Sequence, residues 1–94
     1  EVLERTPEQH DREMAYVQGL SHYIGRVMDC MKIPESELAT LAYEDLLDMK
    51  KIQGGDSWDL YASIMLQNPY AAEVNAQFKQ ACDLLDEKLS SVRQ

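Results

Sequence analysis

His22 is the residue of this chain best placed to do chemistry. Gln18 precedes it by four residues and Arg26 follows it by four. On a helix that spacing stacks the three side chains on one face. On such a face the imidazole can donate a hydrogen bond to an anionic ligand, a carboxylate for example. The competing reading is a histidine on a solvated face. Lys50 and Lys51 form a second cationic element. They could answer the dipole at the end of their helix, or offer a further hold on a carboxylate. Trp58 and Tyr61 read as core or interface residues.

Other constellations fall short of a mechanism. His10-Asp11 is a pair that metal-dependent phosphoester hydrolysis uses, but that chemistry needs more histidines, and His22 is the only other one. Ser21 adjoins His22, yet neighbouring helical residues point about 100° apart, so the two cannot act as nucleophile and base. The chain has no GxSxG turn, no GxGxxG and no phosphate loop. Gly54-Gly55 follows a helix rather than a strand and reads as an ordinary breaker. Cys30 and Cys82 belong to no CxxC and read as two reduced, packed thiols. No metal site is expected.

These residues need helices to position them, and the helices are legible. Thr6-Pro7-Glu8-Gln9 fits a capping box with proline at the first helical position. The first helix runs to about Lys32, because Pro34 disfavours helical geometry at Ile33. Projected at about 100° per residue, Met14, Val17, Leu20, Ser21, Ile24, Val27, Met28 and Met31 share a broad side, with Tyr16 and Tyr23 at its edge. Asp11, Gln18, His22, Arg26 and Asp29 lie opposite. Gly19 and Gly25 inside this helix read either as places where another backbone or a ligand comes close, or as tolerated surface glycines. A connector at Pro34-Glu35-Ser36-Glu37 leads to a second helix, capped by Thr40 and running to about Ile52, with Tyr43, Leu46, Leu47 and Met49 inward. Asp56 caps a third helix from Ser57 to Gln67, carrying Trp58, Tyr61, Ala62 and Met65. Asn68-Pro69 stops it. The last helix spans Tyr70 to Val92, with a seam of Val74, Phe78, Ala81, Leu85 and Val92, and Leu84 and Leu89 beside it. The fold class is all-α: four main helices, the first and last long, in one domain over residues 1–94.

Ninety-four residues support one modest core, yet 45% of them are hydrophobic. The first helix, roughly 38 Å long, overhangs a globule whose radius of gyration should be about 13 Å. A homodimer burying well over ~2,000 Å² in total is therefore expected. The net charge of −8 leaves no basic face for nucleic acid and disfavours anionic membrane surfaces. No apolar run approaches the ~18 residues of a membrane span. The charged opening Glu1-Val2-Leu3-Glu4-Arg5 does not resemble a secretory signal, and two cysteines read as reduced thiols lead to the expectation of a cytoplasmic location.

The segment TPEQHDREMAYVQGLSHYIGR resembles the start of the C-terminal helical domain of the prephenate and arogenate dehydrogenases of tyrosine biosynthesis. Its matching elements are His10-Asp11, Met14-Ala15 and Leu20-Ser21-His22, followed by Ile24-Gly25-Arg26. A second block, Asp56-Ser57-Trp58-Asp59-Leu60-Tyr61 and then Asn68-Pro69-Tyr70-Ala71, is similar to the family's D-S-[FW]-x-L-[FY] and N-[PR]-[FY]-A segments. Thr40, Tyr43, Leu46 and Leu47 also fit. The resemblance implies an intertwined dimerisation domain that supplies part of a substrate pocket. It implies a Rossmann domain elsewhere in the same protein, which binds NAD or NADP and carries the catalytic histidine. The implied reaction passes hydride from the ring of prephenate or arogenate to the nicotinamide as the ring carboxylate leaves as carbon dioxide. His22, with Gln18 beside it, matches a pocket-facing histidine. Lys50 or Lys51 occupies the region where some members place a carboxylate-binding arginine, and a lysine offers a point charge in place of a fork. No cofactor is expected on these residues themselves, and no activity from them alone. Two other readings compete. One is a free-standing chorismate mutase, also an intertwined helical dimer, which would need several converging cations. The other is a helical interaction module without a ligand.

Overall fold

A computed structural model of the chain describes residues 4–93; Glu1, Val2 and Leu3, part of the charged opening, lie outside them. The described residues are helical or connecting, with no strand. Helix α1 spans Pro7–Met14, a π-helical segment follows over Ala15–Leu20, and α2 continues through Ser21–Met31. Helices α3 (Leu41–Ile52), α4 (Trp58–Gln67) and α5 (Ala71–Arg93) complete the chain. The expected all-α class holds.

The expected capping box is present. Thr6 Oγ1 accepts from the Gln9 amide at 3.1 Å, and Gln9 Oε1 accepts from the Thr6 amide at 3.0 Å. Helix α2 ends with Lys32 in the left-handed region at φ 54°, two residues before Pro34. Thr40 caps α3 by accepting from the Tyr43 amide at 3.2 Å. At α4 the expectation needs correcting. The cap is Ser57, whose Oγ accepts from the Leu60 amide at 3.2 Å, and not Asp56. The carboxylate of Asp56 is thereby released for another use.

The first helix is not uniform. Its π-helical turn inserts about one extra residue and rotates the faces on either side relative to one another. Ser21 Oγ donates to the Val17 carbonyl at 2.8 Å within this stretch. Ala15 and Gly19 are buried there, against the start of α5 at Ala71 and Val74. The single 100° projection therefore fails across Ala15–Leu20. In α2 the polar side, His22 and Arg26, turns toward the rest of the chain. Part of the apolar arc is left outward, with Val17 66% exposed.

Two close crossings organise the fold. One joins the π-helical segment to α5, where Tyr23 also meets Phe78 edge-on at 5.8 Å. The other joins α2 to the end of α3. A Cβ added at Gly25 would lie 2.7 Å from the Met49 carbonyl oxygen and 3.1 Å from the Gly54 nitrogen. A Cβ added at Gly54 would lie 2.5 Å from the Gly25 carbonyl oxygen. Gly54 is thus half of a backbone contact and more than the ordinary breaker the sequence suggested.

Among the described residues the buried apolar set is Ala15, Ile33, Ala71 and Val74, and no large side chain is fully buried. Every described residue from Lys79 onward is exposed, including Cys82 and the apolar Leu84, Leu85, Leu89 and Val92. Cys30 is exposed as well. The expectation of two packed thiols is thus incorrect: α2 turns Cys30 outward, and Cys82 lies on the part of α5 that runs past the rest of the chain. The radius of gyration is 16.0 Å, against roughly 12–13 Å for a compact chain of this length.

The glycine geometry separates two outwardly similar positions. Gly25→Ala should destabilise the fold by about 1–3 kcal/mol, since backbone atoms must move to admit the methyl group. At Gly19 the added Cβ would meet Ala71 Cβ at an ordinary 3.7 Å, so Gly19→Ala should change stability by no more than about 1 kcal/mol, in the stabilising direction. Urea denaturation of the two variants checks the contrast.

Candidate functional site

The α2–α3 crossing carries the loop after α3 onto the polar face of α2. Asp56 arrives there because Gly54 permits the approach and Ser57 takes over the capping of α4. His22 Nδ1 lies 2.8 Å from Asp56 Oδ2, with the side chains 16% and 21% exposed. The two atoms are close without the alignment of a hydrogen bond, and neither has another partner among the described residues. His22 therefore sits on an inward, polar contact and not on an open solvated face.

Arg26 follows one turn later. Its Nη1 donates to the Asp56 backbone carbonyl at 2.6 Å. Its guanidinium carbon lies 4.9 Å from the centre of the Tyr61 ring and 5.4 Å from that of Trp58. The two rings are 5.6 Å apart and tilted. Burial pushes the Tyr61 phenol above the usual range; the neighbouring Tyr23 adds to this and the positive charge of Arg26 opposes it. Trp58 and Tyr61, read from the sequence as core or interface residues, are the aromatic floor of this cation.

Gln18 lies elsewhere. With His10, Asp11, Met14, Ser63 and Asn68 it lines a concavity of about 350 Å³ between α1 and α4. Asn68 closes one wall, its Nδ2 donating to the Asp11 carbonyl at 2.8 Å. His22 is not among the residues lining that concavity. The π-helical turn lies across residues 15–20 and breaks the simple four-residue stacking of Gln18 on His22. Lys50 and Lys51 are engaged on the other flank of α3. Lys50 Nζ donates to the Ile33 carbonyl at 3.1 Å, and Lys51 Nζ lies 3.5 Å from Glu35 Oε1. Neither lines the concavity of Gln18. The structure thus joins His22 to Arg26 and Asp56, and keeps Gln18, Lys50 and Lys51 in separate surroundings.

Asp56 is the member of this cluster that sequence reasoning missed. Its signal was the tandem Asp56-Ser57 before a helix: both residues can cap, only one does, and the other keeps a spare acceptor. The arginines do not converge as a dicarboxylate-binding mutase pocket would require. Arg5 pairs with Glu13 at 2.8 Å, Arg12 with Glu8 at 3.0 Å, and Arg26 stands apart from both. Among the described residues no group of three or more His, Cys, Asp or Glu side chains could hold a metal ion, and no helix is long and apolar enough to cross a membrane.

Fold and site together define an all-helical domain with one inward polar cluster and a large uncovered apolar surface. The chain belongs to the family described as TYRAAT1-like, C-terminal domain, which matches residues 27–94. Over 88 residues it is 32% identical to arogenate dehydrogenase 1, chloroplastic, and 30% identical to arogenate dehydrogenase 2, chloroplastic, both of Arabidopsis thaliana. These matches cover 94% of this chain but only 14% and 25% of the two relatives. The similarity to arogenate dehydrogenases therefore extends over almost the whole chain.

The assignment of the α4 cap can be checked directly. Ser57→Ala should cost about 1 kcal/mol of stability, the usual worth of such a cap. Asp56→Ala should leave the cap intact and instead move the ring signals of His22 in NMR spectra, with the signals of His10 unmoved. A cap-sized stability loss in Asp56→Ala with static His22 signals would reverse the assignment.

Proposed function

We propose that this chain is the helical dimerisation and substrate-pocket domain of a prephenate or arogenate dehydrogenase, with His22 facing the substrate. The uncovered apolar surface is the observation that carries the dimer. Leu85 is 62% exposed and Val92 80% exposed, on a stripe that continues the packed face of α5. The accessible surface of 7357 Å² exceeds by roughly 1,800 Å² that expected of a compact monomer of this mass. A second copy laid along α5 and the outer face of the first helix would cover this excess in the manner of an obligate dimer.

The pocket role rests on His22. It is held inward by its contact with Asp56, and one ring nitrogen is left over for a ligand. Lys50 and Lys51 already serve the connector after α2 and enter this reading only as distant charges. Hydride transfer and dinucleotide binding belong to a Rossmann domain of the same protein, with NAD or NADP as the acceptor. The part of these helices is to bind and orient the ring-bearing acid, and to exclude water from it once a partner surface closes over the cluster.

Two measurements test the proposal. Light scattering on the chain at micromolar concentration should give the mass of a dimer, and a stable monomer would remove the dimerisation role. In the full-length protein His22→Ala should weaken substrate binding roughly 10- to 150-fold, the worth of a hydrogen bond to a charged group, with the dimer intact. Unchanged KM and kcat would remove His22 from the pocket.

A further inference from the structure

We infer that Arg26, one turn beyond His22, is the residue that grips the carboxylate of the ligand, in the place the sequence suggested for Lys50 or Lys51. The inference rests on the substrate-pocket reading and adds the identity of its anion contact. It starts from an imbalance. Arg5 and Arg12 each have a glutamate within salt-bridge distance, and Arg26 has no carboxylate that close among the described residues. It is nevertheless half-buried, with its guanidinium against the faces of Trp58 and Tyr61.

The nearby acid does not fill the gap. Asp56 offers Arg26 its backbone carbonyl, at 2.6 Å, and turns its carboxylate to His22 instead. One of the five N–H donors of the guanidinium is thus satisfied by that carbonyl. The aromatic faces stabilise the cation through the ring quadrupoles and accept no in-plane hydrogen bond. They also fix the plane of the guanidinium, so that its remaining donors form a pre-oriented fork that fits a carboxylate bidentately. His22 lies four residues earlier on the same helical face and supplies a further donor at the neighbouring turn. Lys50, by contrast, is a point charge without a fork, held on the far flank of α3 at the Ile33 carbonyl, and Lys51 is already paired with Glu35.

Trp58 is the only tryptophan of the chain, so its indole N–H gives a single, local signal beside the proposed site. The 15N-labelled chain is titrated with cyclohexylacetate, a six-membered ring bearing a carboxylate, and with cyclohexylacetamide, its neutral counterpart. The carboxylate should shift the Trp58 indole and Arg26 Nε–H signals saturably, and the amide should not. Arg26→Gln should weaken carboxylate binding roughly 10- to 150-fold. Arg26→Lys, which keeps the charge and the fold but loses the fork, should fall between the two. Equal responses to acid and amide, wild-type affinity in Arg26→Lys and Arg26→Gln, or no saturable shift at millimolar concentrations would each overturn the inference. If Arg26→Gln has lost its helical circular dichroism, the Arg26→Lys titration decides alone. Failure here leaves the pocket role of His22 to its own kinetic test. Conversely, carboxylate binding through Arg26 alongside unchanged kinetics of His22→Ala in the full-length protein would keep the anion site and remove the role given to His22.

Discussion

Everything that gathers at His22 depends on one steric fact: the backbones of α2 and α3 touch at Gly25 and Gly54. Neither position has room for a methyl group. Because the crossing is so close, the segment from Gln53 onward is laid on the polar side of α2 within reach of its side chains. Asp56, Trp58 and Tyr61 then meet His22 and Arg26 from across the chain. A crossing wider by the thickness of one side chain would keep both helices and their caps. It would also move the Asp56 carboxylate out of contact with the imidazole. Small residues here determine the placement of large, polar ones.

The same economy of volume leaves the chain incomplete as a folded body. The residues buried at the crossings are alanine, glycine, valine and isoleucine. Alanine and glycine bury little apolar area, and Val74 and Ile33 are the only larger apolar side chains buried among the described residues, so the hydrophobic return is small. Ordering this many residues has a large entropic cost, and the apolar area that could offset it faces outward on α5 and the first helix. The arrangement makes physical sense if stability is collected at an interface, where Leu84, Leu85, Leu89 and Val92 would be covered. The polar cluster lies on the inner side of α2 and is spared from that interface.

Much of this was legible from residue types alone, wherever a local rule acts without competition. Thr6 and Gln9 specify a helix start by themselves. Pro34 and Asn68-Pro69 end helices because a proline ring disfavours helical geometry at the residue before it, whatever the tertiary surroundings. Gly25 offered two readings, a close approach or a tolerated surface glycine, and the backbone of α3 coming within 2.7 Å of a Cβ added there decides for the first. The failures occurred where two local solutions compete, or where partner geometry decides. Asp56 and Ser57 are both good caps; in the fold Ser57 takes the cap and Asp56 meets His22, which lies far off in sequence. The π-helical turn has no composition of its own. It forms where Ala15 and Gly19 let α5 approach, and it breaks the regular projection that placed Gln18 beside His22. The cysteines illustrate the same limit, because thiols on an apolar-looking helix are buried only if another element arrives to cover them.

The charge of the chain sharpens the meaning of the polar cluster. With 17 acidic residues against nine lysines and arginines, the long-range field repels an anion. That field is screened beyond about 8 Å at physiological ionic strength. Anion recognition on such a surface must therefore come from short, directed contacts. Three of the nine cations are already occupied, since Arg5, Arg12 and Lys51 are paired with glutamates on exposed surfaces. Such pairs contribute little to stability, but they do occupy the charge. Arg26 differs in being held by π-faces and one carbonyl, which orient a cation without neutralising it. A cation kept oriented and without a paired carboxylate still has hydrogen-bond donors to offer, and a carboxylate ligand is the group that would use them. On that argument the aromatic pair Trp58–Tyr61 is part of the recognition apparatus, because it fixes the plane in which Arg26 meets its ligand.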